Sequence, residues 1–297
     1  MVFRPKRWPG AVMGIAITAM AAGTASTLIR RLLEEPPSLA SFVAGVATAA
    51  LLFLAALFAY WSFCCFSLSY QVDRNRLAIR WGATVHYVPL SSIQSIIPGV
   101  RASEPGRIKG VIWPGHYSGS GVVPELGDIL FFGTSISPRD LLYVVTPAAT
   151  YGLSIGIASQ FIREVDIRKR MGPTEPSAQG ARSWPLATLE VLRDGVVQIL
   201  FLSGLATNLA IFAYVFYIMP QLPQVTAVRL TPMGVSEGTG SSWDALLLPT
   251  LGLFALLGNA ALGLLLYRKE RVAAYLFLGA GGLVQLTLLI AAMFLLG

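Results

Sequence analysis

The chain has 297 residues, of which 55% are hydrophobic and only 12% are charged. These values exclude an ordinary soluble globular protein, because such proteins carry about 25% charged residues. The formal net charge of +7 comes mostly from lysine and arginine beside apolar stretches, so the sequence predicts no nucleic-acid partner.

Five long charge-free stretches predict transmembrane helices. Each can supply the roughly 20 apolar residues that a helix needs to cross a bilayer. A sixth apolar stretch, 141–162, is excluded because Pro147, Gly152 and Gln160 interrupt any helical apolar run. The predicted spans lie near 10–29, 40–66, 196–219, 245–267 and 272–296.

The basic residues predict the orientation of these spans. Nearly all of them lie in the first seven residues, in 70–195 and in the "RKER" turn at 268–271. Cytoplasmic loops of membrane proteins are enriched in lysine and arginine. We therefore expect the N-terminus and the region between the second and third spans to be cytoplasmic. The loop 220–244 and the C-terminus are then outside.

The first span carries small residues at a spacing of four. Small side chains at this spacing let two helices approach closely, as in GxxxG pairing. We predict a helix-packing face, internal or with a partner; the alternative is that small residues are simply abundant here. The face consists of Gly10, Gly14, Thr18, Ala22 and Ser26.

Between the second and third spans the pattern is mostly that of β-strands. The strands "SYQVDR" and "RLAIRWG" flank a tight turn at Asp73–Asn75, where Asn tolerates left-handed backbone. Ser154 is placed to cap a helix from Ile155 to about Arg170. Further strands are predicted at "TVHYVPL", "DILFFGT", "LLYVVT" and "TYGLS".

This region resembles the pleckstrin-homology-like (PH-like) domain of bacterial membrane proteins. The resemblance rests on "YQVDRNRLAIRWG", on "VPLSSIQSI" and on "YGLS" entering the last helix. It implies a small sandwich or barrel closed by a C-terminal helix, with no catalytic centre. It also implies a multi-pass protein of the bacterial inner (plasma) membrane.

The predicted fold class is thus an α+β membrane protein with five transmembrane helices and an inserted cytoplasmic PH-like domain. Residues 1–66 form two spans and 67–172 form the PH-like domain. A linker rich in Pro, Gly and Ser and an interfacial helix anchored by Trp184 occupy 173–195. Residues 196–297 form a three-helix unit.

The loop and helix at 221–266 resemble a bacterial membrane domain of unknown function. That resemblance rests on Leu222, Pro223, Gly234, Glu237 and Gly240. Relatives tend to carry His where Arg229 stands, which argues against a metal or acid–base site there.

Basic side chains near the end of the PH-like helix are candidate contacts for anionic lipid headgroups, since a tethered domain lies close to the membrane. The alternative is a solvated face with helical ion pairs to Glu164 and Asp166. The candidates are Arg163, Arg168, Lys169 and Arg170.

Three carboxamides fall inside predicted spans. An unpaired amide in hydrocarbon is unfavourable, so these side chains should face one another or a cavity. Interhelical hydrogen bonds are one interpretation; a pocket for a lipid headgroup, quinone or pigment is the other. The residues are Asn208, Asn259 and Gln285.

The sequence predicts no catalytic or metal-binding residues and no cofactor beyond such a bound lipid, quinone or pigment. His86 and His116, the two histidines, are expected to be structural. The favoured hypothesis is a non-enzymatic accessory or assembly subunit whose PH-like domain contacts membrane lipids or a membrane-protein partner. The alternatives are a carrier for small molecules or lipids and a membrane-interface enzyme, whose candidate titratable groups near the bilayer include Asp194.

Overall fold

A computed structural model describes residues 1–103, 105–175, 178–182, 191, 194–222, 227–231, 234–238, 242–267 and 269–296. The chain divides into two compact units. The first unit combines 1–23 with 51–188, and the second combines 24–50 with 189–297.

Six α-helices occur within the described residues, and most of them are candidate membrane spans. Within the described residues they are α1 (Trp8–Glu34), α2 (Leu39–Ser67), α3 (Ala158–Met171), α4 (Gly195–Ile218), α5 (Leu247–Leu266) and α6 (Arg271–Leu296). All except α3 are long and apolar enough to cross a membrane. The protein is a multi-pass membrane protein of the α+β class, as the sequence predicts.

The described strands are short and lie mostly between α2 and α3. They are β1 (Val2–Phe3), β2 (Ser69–Val72), β3 (Arg76–Trp81), β4 (Thr84–Pro89), β5 (Ser95–Pro98), β6 (Lys109–Trp113), β7 (His116–Val123), β8 (Gly127–Gly133), β9 (Leu141–Val145), β10 (Thr150–Ser154), β11 (Gly180–Arg182), β12 (Ala227–Thr231) and β13 (Gly234–Gly238).

Strands β2 to β10, together with α3, form a domain that we call the β domain. Two sheets face each other, with strand orders β1-β2-β3-β4-β11 and β5-β9-β10-β8-β7-β6. Their inner faces and one side of α3 share a hydrophobic core that includes Tyr70, Ile79, Leu153 and Phe161. The sixth apolar stretch of the sequence thus forms β9, β10 and the start of α3, and does not span a membrane.

Both edges of the first sheet are covered by strands from outside β2 to β10. β1 pairs with β2 through Phe3 and Tyr70. At the other edge β11, which lies in the predicted linker, pairs with β4. Gln179, just before β11, donates from Nε2 to the Thr146 Oγ1 at 3.0 Å. The predicted interfacial helix at Trp184 lies outside the described residues.

Helix α3 begins later than predicted. Its first residue is Ala158, and Ser154 instead ends β10. The Ser154 Oγ accepts hydrogen bonds from the backbone N–H groups of Thr134 and Ser135 and donates to the Ser135 carbonyl. Ser154 therefore fixes the loop after β8 and is not a helix cap, because its hydroxyl is already occupied by that loop.

In the second unit, α4, α5 and α6 pack together, and β12 and β13 form an antiparallel hairpin before α5. The hairpin lies in the segment that resembles a domain of unknown function. Pro223 and Gly240 of that motif lie outside the described residues, so the resemblance stays a prediction.

Candidate interaction surfaces

The turn between β6 and β7 contacts the first turns of α1. Gly115 in this turn has a positive φ of 84°, and its backbone meets the backbone of Gly10. A Cβ atom on either glycine would overlap the backbone of the other. The close approach therefore requires glycine on both sides, and Gly115 also needs the left-handed conformation.

Aromatic side chains surround this glycine contact. Trp113 is buried, and its indole N–H donates to the Gly10 carbonyl at 3.3 Å. Its ring centroid lies 5.5 Å from that of Phe58 and 5.1 Å from that of Trp61, both on α2. Large aromatic surfaces contribute much of the apolar area that such a contact buries. The tip of the hairpin is thus packed between α1 and α2.

His116 lies behind Trp113 and is only 2% exposed. Its ring centroid is 4.2 Å from that of Trp113. Neither ring nitrogen makes a hydrogen bond of normal geometry within the described residues. Burial lowers the pKa of His116 to about 4, which keeps the imidazole neutral at physiological pH. The expectation of a structural histidine agrees with this environment.

A second turn, between β3 and β4, contacts the end of α2. Gly82 has a positive φ of 56° and faces the Cys64 Sγ, and its N–H donates to the Ser67 Oγ at 2.7 Å. Two glycine turns, one on each sheet, therefore hold the β domain to the ends of α1 and α2.

The small residues of α1 are divided between buried and exposed positions. Gly10 and Gly14 are buried, and a Cβ atom on Gly14 would overlap the Ser62 hydroxyl of α2. Ala22 and Ser26, however, lie on the exposed side of the helix. A spacing of four residues advances about 400° around a helix, so each step drifts about 40°. The buried face continues instead through Ala21 and Ala25, while Thr18 is half-buried and donates to the Gly14 carbonyl.

Comparison with protein families identifies the β domain. Residues 68–169 match the family described as "Bacterial PH domain". The chain carries a PH-like domain of the bacterial family. The match begins directly after α2 and ends within α3, so β1 and β11 are additions to the PH-like domain from flanking segments. Comparison with curated proteins and with solved structures found no match.

One end of the PH-like domain lies close to the transmembrane helices, and the other end lies far from them. β2 follows α2 directly, so the start of β2 marks a helix-proximal end. The turn at Asp73–Asn75 marks a helix-distal end. Strand residues rise about 3.3 Å each, which places this turn on the order of 20 Å from the end of α2.

The predicted headgroup cations at the end of α3 lie near the helix-distal end. Arg74, from the distal turn, donates to the backbone carbonyls of Met171 and Gly172, directly after Arg170. Arg168 forms an ion pair with Glu164, and the Lys169 Nζ donates to the Ile93 carbonyl at 2.6 Å. These contacts place the end of α3 beside the turn at Asp73–Asn75. The sequence could not show this, because the direction of α3 depends on how it packs.

Arg163 and Arg170 are exposed and have no ion pair among the described residues. The predicted pair between Asp166 and Arg170 is therefore not formed, whereas that between Glu164 and Arg168 is. Contact of these two arginines with lipid headgroups therefore stays a prediction.

Two of the three amides in the second unit meet each other. Asn208 on α4 and Gln285 on α6 are 1% and 0% exposed, and the Asn208 Nδ2 donates to the Gln285 Oε1 at 2.9 Å. Asn208 also donates to the Pro249 carbonyl and Gln285 to the Gly252 carbonyl, both on α5. The pair therefore joins all three helices through hydrogen bonds.

Asn259 does not join this pair. Its Nδ2 donates to the Ala255 carbonyl of its own helix at 2.9 Å, and its Cβ packs near Gly281. Asn259 thus differs from the other two amides, because a carboxamide can also donate to the preceding turn of its own helix.

The second unit contains a further polar contact that the sequence did not predict. The Asp194 carboxylate accepts hydrogen bonds from the Tyr275 hydroxyl at 2.6 Å and the Tyr267 hydroxyl at 2.8 Å. It also caps α4 by accepting from the Val196 N–H. Hydrogen bonds from Tyr275 and then Tyr267 lower the pKa of Asp194. The sequence signal was the N-cap position alone, since the tyrosines are more than 70 residues away.

The described part of the chain also has two surface grooves. One, of about 420 Å³, lies in the second unit and is lined by apolar side chains that include Phe42, Phe212 and Phe216. The other, of about 430 Å³, lies on the PH-like domain and is lined by Tyr117, Ser135 and Ser137 among others. No group of residues able to hold a metal ion occurs in the described part of the chain.

Proposed function

We propose that the protein is a non-enzymatic accessory or assembly subunit of a membrane complex. Its PH-like domain serves as a cytoplasmic interaction module for a protein partner or for lipid. The transmembrane helices hold this module at the membrane and offer apolar faces for lateral contact with other spans.

The observation that carries this proposal is the way the PH-like domain is attached. A flexible tether would give the domain a range of heights and orientations. Here the glycine contact between Gly10 and Gly115, the Trp113 side chain and the Gly82 turn fix it directly to α1 and α2. A module held in this way presents a constant surface beside the bilayer, which suits docking onto a partner that is itself embedded.

The amide pair in the bundle favours a structural role over a transport pathway. Asn208 and Gln285 satisfy each other and two backbone carbonyls. Polar groups that line a substrate site instead keep donors or acceptors available for the ligand. The bundle therefore supports the subunit proposal better than the carrier alternative.

Affinity purification tests the proposal. The full chain carries a C-terminal tag, native membranes are extracted in mild detergent, and co-purifying proteins are quantified by mass spectrometry. We expect one membrane-protein partner at a stoichiometric level. Recovery of the chain only as a monomer or homo-oligomer would contradict a subunit role.

Alanine changes at Asn208 and Gln285 separate the carrier alternative. If the amides are structural, the double variant has a lower unfolding temperature. The amount of partner recovered per folded molecule is then the same as for the native chain. If they line a binding site, the double variant folds normally but loses a lipid, quinone or pigment that co-purifies with the native chain.

A further inference from the structure

The helix-proximal end of the PH-like domain lies at the level where α1 and α2 begin and end. Trp8, the first residue of α1, is 72% exposed, and its ring packs edge-on against Phe66 near the end of α2, with centroids 6.1 Å apart. Exposed Trp side chains at helix ends are typical of the headgroup level of a bilayer. Groups beside Trp8 are therefore placed to meet lipid headgroups.

The first sheet brings Arg80 to this level. Arg80 on β3 pairs with Ser69, which is only two residues beyond the end of α2. On the other side of β2, Phe3 pairs with Tyr70, and Arg4 follows directly. Neighbouring strands lie about 4.8 Å apart, so Arg4 and Arg80 are separated by about 10 Å across β2.

Arg4 and Arg80 belong to the same face of this sheet. Phe3, Tyr70 and Ile79 point into the core of the PH-like domain. Because successive side chains in a strand alternate between faces, Arg4 and Arg80 point outward. Both are exposed, and so is Lys6. Two guanidinium groups at this separation can reach one phosphate placed between them.

These three cations have no counter-ion among the residues that the structure describes. Among the described residues, Arg4, Lys6 and Arg80 form no ion pair, and the sequence has no Asp or Glu in 1–33 or 76–103. Arg7 differs, because it donates to the Phe66 carbonyl. The helix-distal cations Arg168 and Lys169 are likewise engaged. Arg4, Lys6 and Arg80 therefore form a group of exposed positive charges beside the ends of α1 and α2.

We propose that Arg4 and Arg80 bind the phosphate of an anionic phospholipid, with Lys6 supporting them by charge. This inference rests on the proposed membrane-interaction role of the PH-like domain and names the ligand class for that role. The site differs from a simple flanking charge, because Arg80 reaches it only through the pairing of β1, β2 and β3. Arginine suits the task, since its planar guanidinium can bind phosphate oxygens through two N–H groups.

Native mass spectrometry of the full-length protein in detergent tests the site. The protein is titrated with phosphatidylglycerol, and separately with phosphatidylcholine, and retained lipid is counted. Each basic residue near a membrane surface contributes about 1 kcal/mol to binding of anionic lipid, or about fivefold. We expect the R4A/R80A variant to retain phosphatidylglycerol about 25-fold more weakly, with no change for phosphatidylcholine.

The matched control is R163A/R170A, which removes two exposed arginines of α3 and should leave phosphatidylglycerol binding unchanged. Equal loss in both variants, or no loss in R4A/R80A with an unchanged unfolding temperature, would overturn the site. R4K/R80K serves as a charge-preserving variant: it should bind more weakly than the native chain but better than R4A/R80A, and retention no better than that of R4A/R80A would also overturn the site.

Competition with glycerol phosphate and inorganic phosphate distinguishes a lipid from a free anion. Displacement at millimolar concentration would show a free-phosphate site and overturn the lipid assignment; persistence of the bound lipid supports it. Partner recovery in the purification experiment is a separate readout. Loss of lipid binding in R4A/R80A with intact partner recovery shows that the two proposals succeed or fail independently.

Discussion

Each of the two compact units is stabilised internally by a different kind of contact. In the first unit, the PH-like domain meets α1 and α2 through glycine backbones and aromatic rings. In the second, α4, α5 and α6 are joined by the amides of Asn208 and Gln285. The strands satisfy most of their backbone groups by pairing with one another, so the turns dock mainly by close packing, with hydrogen bonds from Trp113 to Gly10 and from Gly82 to Ser67. Helices surrounded by lipid gain less from apolar contact, and buried hydrogen bonds add specificity.

The strongest test of shape-based docking is Gly10→Ala. In a free helix this change is favourable by about 1 kcal/mol. Here the new Cβ overlaps the Gly115 carbonyl, so we expect destabilisation of about 2–3 kcal/mol. The unfolding temperature of the full-length protein in detergent measures it. Gly23→Ala in the same helix meets nothing within 4 Å and should be neutral or stabilising.

The PH-like domain also contains a buried tyrosine whose hydroxyl joins two strands, which sharpens the comparison. The Tyr70 hydroxyl donates to the Phe132 carbonyl at 2.7 Å and accepts from the Ser154 N–H at 3.1 Å. Tyr70→Phe leaves two buried backbone groups unpaired, and we expect a loss of about 2 kcal/mol in the free energy of unfolding. Tyr143→Phe, at an equally buried tyrosine whose hydroxyl has no hydrogen bond within the described residues, should change stability little. Similar losses in both would contradict this role for Tyr70.

In the bundle, Asn208→Ala removes donors from both the Gln285 amide and the Pro249 carbonyl. Hydrogen bonds between transmembrane helices contribute about 0.6–1.7 kcal/mol each, so a loss of about 1–2 kcal/mol is expected. Asn259→Ala should cost less than half as much, because Asn259 donates within its own helix. A larger effect at Asn259 would show that hydrogen bonding between helices does not dominate. Thermal unfolding in detergent ranks the two variants.

The smallest expected effect near neutral pH comes from the protonation of His116. Its pKa in the folded protein, lowered to about 4, lies below the ordinary value of 6.5. The unfolded chain therefore binds more protons between these values, so stability is complete above about pH 6.5 and falls as pH decreases toward 4. At pH 6 the loss is about 1 kcal/mol, and it grows as the pH falls further.

His86 also has a pKa lowered by burial and acts in the same direction. The difference between the native chain and His116→Phe isolates the contribution of His116, because phenylalanine keeps the ring contacts and cannot take up a proton. Parallel pH curves for the two proteins would show that His116 does not titrate on unfolding.

Particular residues show where sequence reasoning succeeded at the candidate sites. Gly10, Gly14, Asn208 and Gln285 are all buried at contacts. In an apolar span, glycine permits a close approach of another element and a buried amide requires a hydrogen-bond partner. Ala22 and Ser26 are not, since a spacing of four drifts around the helix. Asn259 shows that an amide in a span has a local partner available, which no pattern distinguishes from a partner on another helix.

The sequence by itself determined the five apolar helices and the PH-like domain between them. Those features depend on local hydrophobicity and on short motifs, which are fully present in the chain. Only the tertiary structure decided that residues 2–3 extend the first sheet, that Gly115 meets Gly10, and that Arg80, unlike Arg168, lies close to the end of α2. These outcomes depend on strand register and on the direction in which α3 packs, and both are set by contacts between residues far apart in the chain.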